Sequence, residues 1–122
     1  MSENLSTEKV IIDEVAIRKT CMGDEELLLD ICSTILNDLP VHIDSIYDSI
    51  ERREGKLLAS HSHKFNGSIK YFYAHRVSSV LKELESMGSS GKFDEVDMLF
   101  DKLKEEAGIF KASVIEFQKK LL

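Results

Sequence analysis

A chain of 122 residues with 43% hydrophobic side chains is long enough for one domain with a real core, and its single proline and six glycines favour helices over a sheet. The formal charge of -6, from 22 acidic against 16 basic residues, repels a phosphate backbone and argues against nucleic acid as a partner. No apolar run approaches the roughly 20 residues that span a bilayer, and Met1-Ser2-Glu3-Asn4-Leu5 has neither the basic nor the apolar region of a secretory signal, so a cytoplasmic location and no membrane contact are expected.

Residues 1 to about 10 are polar, mixed in charge and without periodicity, which marks them as a flexible lead-in to a single domain over 11–122. A short helix fits Ile12 to about Lys19, with Ile12, Val15 and Ala16 packing inward, and Cys21-Met22-Gly23 ends it. Asp24 then serves as N-cap, with Glu25 and Glu26 in the positive first turn of a long helix. Leu28, Ile31 or Cys32, Ile35, Leu39, Ile43, Ile46 and Ile50 keep helical spacing as far as Arg52 or Arg53, and because Pro40 leaves that phase intact it is expected to kink the helix and not to break it. Cys21 and Cys32 lack the spacing of a redox or zinc pair and are expected to be packed free thiols, with a disulfide as the lesser alternative.

Glu54-Gly55 makes a turn into the next helix, which is expected to run from about Lys56 to Phe72. At about 100° per residue, Leu58, Ser62, Phe65, Ile69 and Phe72 share one arc, while Lys56, His63, Gly67 and Lys70 face water. Tyr73 and Ala74 mark a bend, after which Val77, Val80, Leu81, Leu84 and Met87 set a new phase for a short fourth segment. Met87-Gly88-Ser89-Ser90-Gly91 has the composition of a loop. Val96, Phe100, Leu103, Ala107, Phe110, Val114, Phe117 and Leu121 then alternate at four and three residues, a heptad seam suited to helix crossings near 20°. Gly108 lies off that seam, and the pattern gives it no purpose. Four amphipathic helices with short connections predict an all-α, antiparallel up-and-down four-helix bundle, capped at one end by the short N-terminal helix.

The residue that stands out chemically is His63. It is displayed on the solvent face of its helix with Gly67 one turn on, where glycine costs roughly 1 kcal/mol relative to alanine. Bare backbone at that point leaves room for a visiting protein to reach the imidazole. A neutral ring nitrogen is a competent nucleophile near pH 7, histidine's reference pKa being about 6.5. His61 lies at the edge of the apolar arc, about 160° round the helix from His63, so it is expected to pack or hydrogen-bond, and a joint metal site on this helix is not expected. His42 and His75 are expected to be ordinary surface or bundle-end residues, with His75 near a docking face. Lys56, Lys64 and Lys70 are either a solvated stripe or a positive patch around His63.

The run His63, Phe65, Asn66, Gly67, Ser68, Ala74, Val77, Leu81, Leu84 and Glu85 resembles the signature of the histidine-containing phosphotransfer (HPt) domain, and the likeness extends over about residues 12–117 through Gly23-Asp24-Glu25-Glu26-Leu27-Leu28, Ile35-Leu36 and Pro40. The sequence departs from that pattern at Asn66, where the family usually has lysine, and at Tyr73, where glycine is common. The resemblance implies a phosphorelay protein that accepts a phosphoryl group on His63 from a receiver-domain aspartyl phosphate and passes it to another receiver. It further implies a phosphocarrier and not a stand-alone kinase, a monomer, and partners among response-regulator receivers and a hybrid sensor histidine kinase. Asn66, Gly67, Lys64, Lys70 and Lys56 would stabilise phosphate or dock the partner, with no cofactor of the chain's own and Mg²⁺ on the receiver. The alternative is a bundle of the same fold that binds a receiver or kinase and regulates it without carrying phosphate.

Overall fold

The computed structural model describes residues 11–122, so the expected lead-in over 1–10 lies outside the described residues. They form helices α1 (Glu14–Thr20), α2 (Glu25–Glu51), α3 (Gly55–Ser68), a 3₁₀ turn (Lys70–Phe72), α4 (His75–Ser90) and α5 (Val96–Leu121). The four long helices close a ring in which α2 packs on α3, α3 on α4, α4 on α5, and α5 back on α2. This is the all-helical bundle expected from the four apolar stripes.

Capping chemistry starts the second helix at Asp24, where the sequence placed it, and starts the first after Asp13, at Glu14, two residues later than the expected Ile12. The Asp13 carboxylate accepts from the Ala16 N–H at 3.0 Å, and Asp24 accepts from the Leu27 N–H at 3.1 Å, each satisfying a backbone donor that the first helical turn leaves open. Helix α1 sits on the bundle end, tied to the 3₁₀ turn by the Asp13 N–H donating to the Phe72 carbonyl at 3.1 Å. Its anchor differs from the expected set. Ile17 is fully buried, whereas Val15 is 76% exposed, because the helix is only seven residues long and a single inward position meets the core. Cys21 and Cys32 are free and buried, and burial, with Cys21 adding to it, pushes the Cys32 thiol up to about 11.

Helix α2 runs through Pro40 unbroken, with Leu28, Cys32, Ile35, Leu39, Ile46 and Ile50 buried on one side. Helix α5 buries its whole heptad seam, and Phe110 there meets Phe72 edge-on at 5.5 Å. Glu106 lies beside the seam only 8% exposed, a position its charge alone does not favour, and Arg76 of α4 satisfies it at 2.9 Å.

Two helix ends differ from the sequence expectation. Helix α3 stops at Ser68, and the chain continues as the 3₁₀ turn, so Lys70 sits beyond the α-helix. The apolar phase survives the change: Leu58, Ser62, Phe65, Ile69 and Phe72 are all at most 2% exposed. The expected loop at Met87–Gly91 is helical to Ser90, with only Gly91 left-handed, at φ +72°. Gly88 belongs to the helix because its neighbour is backbone. A Cβ there would lie 2.5 Å from the Gly55 carbonyl oxygen, and one on Gly55 would lie 2.5 Å from the Gly88 carbonyl oxygen. Two glycines thus allow α3 and α4 to touch main chain to main chain, a contact invisible in either segment alone.

Candidate functional site

The candidate site lies on the α3–α4 seam. Helices α3 and α4 are antiparallel, and the Gly55–Gly88 contact near one end sets their register. Further along, His63 stands on α3 with 77% of its side chain exposed, and its Nδ1 lies 3.2 Å from Oε2 of Glu85 on α4. When Nδ1 carries the proton, it donates to that carboxylate, and Nε2 is left as the ring's lone-pair nitrogen. Ser62 and Phe65, which flank His63 and Lys64 on α3, are fully buried and anchor that stretch of the helix in the core. The Ser62 hydroxyl has no hydrogen-bond partner among the described residues.

Gly67 lies within α3 and is exposed, as expected. A Cβ at this position would meet nothing within 4 Å, the imidazole included, so the glycine does not relieve crowding of His63 by its own chain. The surface over it is open. Asn66 is half-buried beside it, and Lys64 and Lys56 are exposed on the same helix. Lys70 is exposed on the 3₁₀ turn and therefore does not continue the His63 face as a helical position. A cleft of about 190 Å³ gathers Asn66 and Lys70 from one side of the seam and His75, Ser78 and Lys82 from the other. His75 opens α4 and is exposed at this cleft.

The other histidines are placed differently. His61 is half-buried on the flank of α3 away from Glu85. His42 is not an ordinary surface residue: its ring stacks on Phe65 at 4.7 Å with 6° between planes. Burial lowers its pKa from the ordinary histidine value, Asp38 acting in the opposite direction and Lys64 and His61 adding smaller downward effects. The reason is that position 42 faces α3 across the bundle, which the spacing within α2 alone does not reveal.

Tyr73 explains how a non-glycine residue can occupy the bend before α4. Its backbone is left-handed, at φ 55° and ψ 42°, the conformation that glycine takes without a Cβ penalty. Its phenol is held by the Thr20 hydroxyl at 2.6 Å, which ties the bend to the end of α1.

Sequence reasoning placed Glu85 in a motif but gave it no role, and it passed over Lys82 altogether. Glu85 follows His63 by 22 positions, and the two meet only because consecutive helices fold back on each other. The local signal available was modest, a carboxylate immediately after Leu84 of the apolar set.

No protein-family model matches the chain, and no curated protein matches it in sequence. Among solved structures, it is similar to the crystal structure of histidine-containing phosphotransfer protein B (HptB) from Pseudomonas aeruginosa PAO1, with a TM-score of 0.84 over 92% of this chain and 97% of that one, at 16% identity. At that identity the likeness establishes the fold, a four-helix bundle with a short N-terminal helix. Among the described residues, no helix is long and apolar enough to cross a membrane.

Proposed function

We propose that this chain is a histidine phosphotransfer protein of the HPt family, acting in a multistep two-component phosphorelay with His63 as the phosphoacceptor. The observation that carries the reading is the exposed imidazole whose Nδ1 is engaged by Glu85 at 3.2 Å, leaving Nε2 toward solvent as nucleophile. The bundle's likeness to a phosphotransfer protein supports it.

The chemistry follows from that geometry. The Nε2 lone pair attacks the phosphorus of a receiver's aspartyl phosphate, an N–P bond forms, and the P–O bond breaks with its electron pair leaving on the aspartate carboxylate. The Nδ1 proton stays on the ring, which becomes positively charged, and the Glu85 carboxylate stabilises that charge as it develops. Transfer to a second receiver is the reverse. In this reading Mg²⁺ and the acidic pocket are contributed by the receiver, and the bundle contributes alignment. The open surface at Gly67 seats the partner. Lys56, Lys64 and Lys70, all exposed, favour approach of an acidic receiver although the whole chain carries -6. The protein acts as a monomer in the cytoplasm, between receivers of response regulators and of a hybrid sensor histidine kinase.

The test is incubation with a phosphorylated receiver and Mg²⁺, followed by measurement of acid-labile, base-stable label. Transfer lost in His63→Gln and kept in His61→Gln is the expected result. Binding to the receiver without label would replace the relay with the alternative, a regulatory module that carries no phosphate, which the neutral Asn66 in place of the usual lysine favours.

A further inference from the structure

On the phosphoacceptor reading, a phosphoryl group on His63 sits next to Glu85, and its charge needs a balancing cation. A dianionic group on Nε2 and a carboxylate at Nδ1 repel each other across one ring, and the residue of α3 that would offset this by resemblance is the uncharged Asn66. We infer that Lys82 of α4 is the phosphoryl-binding cation of this site, closing across the seam onto the phosphoryl oxygens, with Asn66 as a neutral donor on the opposite wall.

The register places it there. Gly55 against Gly88 and His63 against Glu85 run down one antiparallel seam, so a step of one turn beyond His63 to Asn66 corresponds to a step of one turn back from Glu85 to Lys82. Asn66 and Lys82 duly line the same cleft of about 190 Å³. The offset from the His63–Glu85 level is three residues, about 4.5 Å along the helix axis, which the four-carbon arm of a lysine spans. Lys82 is exposed, and among the described residues no salt bridge occupies it.

The other lysines are placed less well. Lys64 follows His63 immediately, about 100° round the helix, and its charge acts on His42 on the far flank. Lys56 lies two turns before His63, away from Asn66. Lys70 also lines the cleft, but it lies on the 3₁₀ turn beyond the end of α3, about two turns along from His63.

The experiment phosphorylates the protein with potassium phosphoramidate, which needs no receiver, and places the label on His63 by mass spectrometry with His63→Gln as control. Phosphorus NMR then follows the second ionisation of the bound phosphoryl group. A cation in contact favours the dianion, so Lys82→Gln should move the midpoint upward and Lys82→Arg should restore it. Lys119→Gln, which removes one exposed charge at the far end of α5, should leave it in place. Lys82→Gln should also slow acceptance from a phosphorylated receiver about fivefold. An unchanged midpoint in Lys82→Gln, or a shift produced by Lys70→Gln instead, overturns the assignment. Phosphoramidate labelling of His63 with no transfer from any receiver would count against the relay while leaving the lysine assignment to be decided by the midpoint.

Discussion

Gly55 and Gly88 face each other with no room for a side chain between them, each one's absent Cβ falling 2.5 Å from the other's carbonyl oxygen. This contact sets both the spacing and the register of α3 against α4, and the His63–Glu85 pair lies further along the same seam. Gly55→Ala and Gly88→Ala are each expected to destabilise the bundle by about 1–3 kcal/mol, the usual cost of overpacking, although alanine is the better helix former. Urea denaturation checks this, and an unchanged midpoint for both variants would remove the glycine contact as the determinant of the seam.

Gly67 is expected to behave in the opposite way. Its absent Cβ meets nothing within 4 Å, so Gly67→Ala should raise stability by up to about 1 kcal/mol through helix propensity. Gly67→Leu should stay folded and yet slow phosphoryl acceptance at His63 about tenfold, because a bulky side chain then stands where the partner rests. Stability by denaturation and transfer rate are to be measured on the same samples; a leucine variant that transfers at the parent rate would show that this surface is not used.

Glu85 should act on the ring's proton. With the carboxylate present, nitrogen NMR of His63 is expected to report the proton at Nδ1, and in Glu85→Ala it should redistribute between the two nitrogens. Acceptance of phosphate should slow about two- to fivefold, a modest factor because His63 is 77% exposed and water screens the pair. A tautomer ratio identical in the two proteins would mean that the 3.2 Å approach does not orient the imidazole.

His42 supplies a pH dependence whose sign can be worked out. Its folded pKa lies below the ordinary histidine value because burial against Phe65 disfavours the cation. The stability it contributes is therefore fully present above the unfolded value near 6.5 and is lost as pH falls through the lower folded value. Denaturation midpoints measured between about pH 7.5 and pH 5 should fall on acidification, and His42→Phe, which keeps an aromatic ring but cannot titrate, should flatten part of that decline. Parallel curves for the two proteins would assign the pH dependence elsewhere.

Helix content and phase were written in the sequence because each apolar stripe repeats at the pitch of an isolated helix. The caps at Asp13 and Asp24, the buried arc from Leu58 to Phe72 and the seam of α5 all depend on residues within a few positions of one another. The exposure of His63 and Gly67 was legible for the same reason. Contacts between helices decided the rest. Gly88 looks like a loop residue until Gly55 is set against it, and His42 looks solvated until Phe65 is stacked on its ring. Glu85 meets His63, and Lys82 lines a cleft with Asn66, only when α4 folds back along α3 and brings positions some twenty residues apart onto one seam. Periodicity tells which way a side chain points from its own helix axis; what it meets there depends on the register between helices, and that register is fixed by packing across the whole bundle.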